Sequence, residues 1–105
     1  MAIIERRTFY GKVGAGTELV HAIRDEFEAM RTAGVDVQYR ILTDYLSGRS
    51  DRVIYEIETD SVGALEEMME RAGAAESVRD SLARLEIILR DTITHAEVEL
   101  LRVQD

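Results

Sequence analysis

Cysteine is absent from the 105 residues, which excludes a disulfide framework, a thiolate nucleophile and a cysteine-ligated zinc or iron–sulfur centre. A reducing cytoplasm suits such a chain and is the compartment expected. Proline is absent too, an unusual feature for which composition supplies no physical account. Long hydrophobic runs are lacking: no window approaches the roughly 20 apolar residues of a membrane span, and the opening Met-Ala-Ile-Ile-Glu-Arg-Arg is not a signal peptide, so no membrane partner is expected. Basic clusters are lacking as well. The 13 Lys and Arg are scattered among 21 Asp and Glu for a net charge of −8, which argues against a nucleic-acid partner.

What is present is ordinary globular material, 46% hydrophobic and 32% charged. The length fits one domain over residues 1–105, short enough that covering an open sheet by self-association would help stability. Residues Ile3 to Val13 are rich in aromatic and β-branched types and predict a first strand ended by Gly11, Gly14 and Gly16. Thr17 is placed to cap a helix in which Leu19, Ile23, Phe27 and Met30 recur at helical spacing, and Gly34 stands where a C-terminal glycine cap belongs. Alternation from Val35 to about Leu46 predicts a second strand, Ser47 to Asp51 a turn, and Arg52 to Glu58 the returning arm of a hairpin. Asp60 or Ser61 caps a short helix carrying Leu65, Met68 and Met69 and stopped near Gly73. A longer helix follows on the stripe Val78, Leu82, Leu85 and Leu89, and a last strand holds His95 to Leu101.

The order β-α-β-β-α-α-β is a ferredoxin-like split unit with an added short helix, an α+β fold with an antiparallel sheet. In the usual 4-1-3-2 strand order, one face carries Phe9, Val13, Val37, Tyr39, Ile41, Val53, Tyr55, Ile57, Ala96, Val98 and Leu100 beneath the helices. The other displays Arg6, Tyr10, Gln38, Arg40, Glu56, His95, Glu97 and Glu99 among Ile4, Leu42, Ile54 and Leu101. A one-residue bulge in the first strand would reverse its two faces.

Glu5-Arg6-Arg7-Thr8-Phe9-Tyr10 leading into Gly11-Lys12-Val13 and a helix resembles the opening of NIPSNAP-like proteins, within the dimeric α/β-barrel superfamily. Arg52 to Glu58 before a short helix is similar to their third strand, and Leu89-Arg90-Asp91 to their closing segment. The resemblance spans nearly the whole chain. It implies a homodimer in which two four-stranded sheets face each other and enclose a pocket. Relatives include small monooxygenases, cyclases and haem-handling proteins. The chain has no tryptophan, which removes the residue some haem-degrading and monooxygenase relatives use, so fold and dimer carry over and no catalytic residue does.

Candidate ligand-binding residues are Arg6, Tyr10, Arg40, Glu56, His95 and Glu97, all on the second sheet face. Arg6 and Arg40 are in cross-strand reach of Glu56, and a salt-bridge ladder is the favoured account of them. The functional account is burial by a facing subunit, which leaves surplus glutamate in need of a proton, a cation, water or a ligand donor. His95 is a candidate general base beside Glu97 and Glu99, with Tyr10 a second candidate for proton handling. A metal is not expected, because the face has a single histidine. His21 falls at the edge of the first helix stripe and reads as a boundary residue. Gly11 to Thr17 joins a strand to a helix but lacks the residue order of a phosphate loop, and no other cofactor motif occurs. The methionines lie on apolar helix faces as packing residues. The expected function is small-molecule binding by a homodimer, in a polar-edged pocket between sheet and helices. Two alternatives are a cofactor-independent monooxygenase or cyclase acting on a polycyclic or phenolic substrate, with Arg6 or Arg40 holding an oxyanion, and a structural dimer without ligand.

Overall fold

Alternation and helical periodicity resolve into seven elements in the computed structural model, which describes residues 2–12, 14–45 and 51–104. They are β1 (Ile3–Gly11), α1 (Gly16–Thr32), β2 (Gln38–Thr43), β3 (Arg52–Thr59), α2 (Val62–Gly73), α3 (Glu76–Thr92) and β4 (Ile93–Arg102). The four strands form one antiparallel sheet in the order β2-β3-β1-β4, the order expected. The β1–β4 register does shift, but only past the Tyr10–His95 pair, where Thr94 of β4 is the extra residue, so both face assignments hold over residues 3–10.

The ends of the elements follow local chemistry. Ser61 caps α2, its hydroxyl accepting from the Ala64 N–H at 3.0 Å. Gly34 ends the α1 region at φ +85°, where glycine carries no side-chain penalty, and the Val35 N–H donates to the Met30 carbonyl. Thr17 does not cap α1: the helix begins one residue earlier, with Ala15 in the capping position and no side-chain hydrogen bond. The second strand starts later than alternation predicts. Val35 and Val37 are buried, yet the cross-strand ladder begins only with Gln38 opposite Glu58. Asp44 and Arg52 pair at 2.7 Å beside the hairpin loop; of the turn predicted over Ser47 to Asp51, residues 47–50 lie outside the described residues, as do Leu46 and Val13.

The core lies between α1, α2, α3 and one sheet face. Ile23, Met30, Val37 and Ile57 are fully enclosed, and Phe27 stacks on Tyr39 at 4.4 Å and meets Tyr55 edge-on at 5.2 Å. The expectation that helices also cover β4 is corrected. α1 rests on β2 and β3 and packs against α3, while Val98 and Leu100 on the helix-facing side of β4 remain 53% and 56% exposed. Local alternation marked them as apolar. The reach of the helices, which no strand pattern encodes, left them uncovered.

Candidate functional site

On the sheet face away from the helices, Arg40, Glu56, Arg6 and Glu99 stand opposite one another across β2, β3, β1 and β4. Arg6 Nε donates to one Glu56 oxygen at 2.7 Å and Arg40 Nε to the other at 2.6 Å. The two guanidinium groups cover the carboxylate so fully that Glu56 is only 4% exposed. Burial by itself would raise its pKa, but the hydrogen bonds and charges of Arg6 and Arg40 outweigh that and hold it below the ordinary carboxylate range. A groove of about 280 Å³ beside this triad is lined by Ile4, Gln38, Tyr39, Arg40, Glu56 and Glu58.

Tyr10 and His95 form a separate group on the same face, about 13 Å along β1 from the Arg6 row, with Glu97, the register partner of Thr8, about halfway between. The rings of Tyr10 and His95 stack in parallel, 4.2 Å between centroids, because the two residues are register partners. His95 Nε2 lies 3.8 Å from a Glu97 oxygen, with both side chains more than half exposed. All six predicted site residues therefore share a face, while a single chain gathers them into two clusters. No group of three or more metal-ligating side chains among the described residues is arranged to hold a metal ion.

A second polar cluster, not read from the sequence, lies on the opposite face between sheet and helices. Glu5 and Arg7 alternate with Phe9 on the helix side of β1, and Tyr55 of β3 stands opposite Arg7, its ring centroid 6.0 Å from the guanidinium carbon. Glu26 reaches the group from α1, where it falls within the buried stripe three residues after Ile23 and four before Met30. That position was the available signal: an acid in the middle of an apolar helix stripe. Glu5 Oε1 and Arg7 Nη2 are 3.6 Å apart, a loose pairing that leaves Glu5 Oε2 and Arg7 Nε buried without a hydrogen-bond partner. Burial pushes the Glu26 carboxyl upward; the Arg7 charge opposes the rise, and the charges of Glu86 and Glu5 add to it. Burial likewise raises the Tyr55 phenol, which is neutral at physiological pH. Leu100 and Val98 are the register partners of Glu5 and Arg7 on β4, so this cluster opens directly onto the uncovered apolar strip.

The architecture is that of ferredoxin-like α+β proteins, and solved structures show the same fold. An uncharacterised NIPSNAP domain protein from Burkholderia xenovorans superimposes with a TM-score of 0.75 at 19% identity, over 97% of this chain and 94% of that one. A NIPSNAP family protein from Agrobacterium tumefaciens matches with a TM-score of 0.75 at 19% identity, over 99% and 87% of the two chains. SnoaB, a cofactor-independent oxygenase from Streptomyces nogalater, matches with a TM-score of 0.66 at 12% identity, over 99% and 94%. No protein-family model and no curated protein matches the sequence. The NIPSNAP-like resemblance of the strand segments thus extends to the whole fold.

Proposed function

We propose that the protein is a homodimeric α/β-barrel protein of the reducing cytoplasm that holds a small molecule between its sheet and helices. The observation that carries the binding reading is the juxtaposition of an uncovered apolar strip, Val98 and Leu100, with a partly exposed Glu5–Arg7 pair in which one atom of each side chain is enclosed without a hydrogen-bond partner. Buried polar atoms without partners cost about 1–3 kcal/mol each, and a ligand that satisfies them recovers that cost while its apolar part covers the strip. The outer sheet face serves the dimer. There the Arg6–Glu56–Arg40 triad is internally satisfied, and Ile4, Leu42, Ile54 and Leu101 gain from a facing copy. Neither nucleic acid nor a membrane is a partner in this reading.

Native mass spectrometry of gently purified protein tests the binding reading. A retained compound, lost in Val98→Glu, is the expected result; wild-type protein that carries and takes up nothing would refute it.

A second reading, cofactor-independent oxygenation or cyclisation, draws on the Tyr10–His95 stack, which sets a phenol and an imidazole side by side on the outer face. The oxygenase activity of SnoaB belongs to a protein that shares only the fold with this chain. Turnover of a polycyclic phenol that is lost in both Tyr10→Phe and His95→Gln would favour this reading, and binding without turnover would favour the first.

A further inference from the structure

On the sheet face away from the helices, one row of register partners crosses all four strands as Arg40, Glu56, Arg6 and Glu99, in the order positive, negative, positive, negative. Glu56 is satisfied by its two arginines, but each of them engages it through Nε, and no acceptor among the described residues takes their Nη groups. Arg40 is 66% exposed, and Glu99 is exposed and pairs with no cation among the described residues, although Arg6 is its register partner. The row is thus closed in its middle and open at both ends, with a cation at the β2 edge of the sheet and an anion at the β4 edge.

Two copies that face each other across this surface can obey two-fold symmetry in two ways. With the axis across the strands, β2 lies over β2 and β4 over β4, so the exposed Glu97 and Glu99 of one copy meet the same glutamates of the other. With the axis along the strands, the order of strands reverses while every residue keeps its height. The row then meets its own reverse: Arg40 faces the partner's Glu99, and Glu56 faces the partner's Arg6. Because the row alternates in sign, each position meets an opposite charge in this arrangement, whereas the first sets like charges together.

We infer that the occupant of this face is a second copy of the chain docked with the two-fold axis along the strands, β2 of each copy over β4 of the other, with Arg40 paired to the partner's Glu99 at both ends of the row. The inference rests on the homodimer proposed above and adds its orientation and the residues that select it. The groove of about 280 Å³ beside the triad lies on the β2 and β3 half of the face, so the partner's β4 covers it. There the partner's Leu101 comes over Gln38, one of the residues lining the groove, since the two stand at opposite ends of the neighbouring row. The Nη groups of Arg40 gain an acceptor as they leave water, and Glu99 gains a donor.

The chain has no cysteine, so single introduced thiols report which strands meet. Differently tagged copies carrying Arg40→Cys and Glu99→Cys, co-expressed and treated with a short bismaleimide, are expected to give a linked dimer bearing both tags, with several-fold less linkage of either variant to itself. Gln38→Cys with Leu101→Cys, which leaves the ion row intact, should repeat the pattern. Glu99→Arg, which sets a cation against the partner's Arg40 at both ends, should raise the dimer Kd about tenfold or more, and adding Arg40→Glu should recover most of that loss. Glu99→Cys linking to itself as readily as to Arg40→Cys would overturn the orientation and leave the homodimer standing, and a dimer indifferent to Glu99→Arg would overturn the part given to the row. A dimer that links through none of these thiols uses another surface and overturns the inference together with the assignment of this face. A wild-type monomer at micromolar concentration would overturn the homodimer itself.

Discussion

Glu56 and Glu26 are carboxylates partly or wholly removed from water, and their neighbours drive them in opposite directions. Glu56 accepts from two guanidinium groups at 2.6 and 2.7 Å, so its folded form releases its proton more readily than the unfolded chain does. Its contribution to stability is therefore present above the usual value of 4.5 and is lost as pH falls through the lowered folded value. Glu56→Gln should cost about 1.5–3 kcal/mol near neutral pH, the range for hydrogen bonds to charged groups. Denaturant titration should show the gap closing in acid. Glu26 behaves in reverse: its folded carboxyl holds a proton more tightly than the unfolded one, so the charged form is a burden above the raised folded value and the burden lifts as pH falls towards 4.5. Glu26→Gln should stabilise the protein at neutral pH, with the gain fading in acid. A loss of stability at neutral pH would mean that Arg7 depends on the Glu26 charge more than burial opposes it.

At the scale of elements, α1 is the piece that joins the layers. Its stripe of Leu19, Ile23, Phe27 and Met30 is buried almost completely, and Phe27 alone contacts the aromatic rings of two strands, Tyr39 on β2 and Tyr55 on β3. Phe27→Ala should cost about 3–5 kcal/mol in equilibrium unfolding, because the removed ring leaves a cavity between layers that cannot close without moving the helix. A loss below about 1 kcal/mol would show that the sheet and α1 are joined elsewhere. β4 is the contrasting element. It pairs with β1 along most of its length, yet both of its faces are open, and its free edge is the far edge of the sheet. An edge strand with apolar residues in water is a surface that stability alone would select against, which is the reason to place ligand binding beside it.

For the molecule as a whole, the open sheet face is the feature that self-association answers. Leu42 is exposed at the edge of that face beside a satisfied ion triad, a mixture suited to an interface with a charged centre and apolar surroundings. Scattering-based mass at micromolar concentration should give twice the chain mass of 11.9 kDa. Leu42→Glu should shift the protein toward monomer, because it places a charge where two apolar faces would meet, whereas Arg24→Glu on the exposed side of α1 should leave the mass unchanged. A wild-type monomer at that concentration would remove the barrel.

The sequence by itself determined the order of elements, their faces and the α+β class, because strand alternation and helical spacing are local patterns that burial of one face imposes directly. It also carried the triad, since Arg6, Arg40 and Glu56 occupy matching positions on three strands whose pairing order is common to the fold. Val98 and Leu100 show the limit: their alternation predicted coverage, but where a helix lands on a sheet depends on how α1 and α3 pack on each other. Glu5, Arg7 and Glu26 show it again. Each read alone is a charged residue on an amphipathic segment, and only the docking of α1 on β2 and β3 brings Glu26 towards the Glu5–Arg7 pair and leaves one atom of each of that pair without a partner.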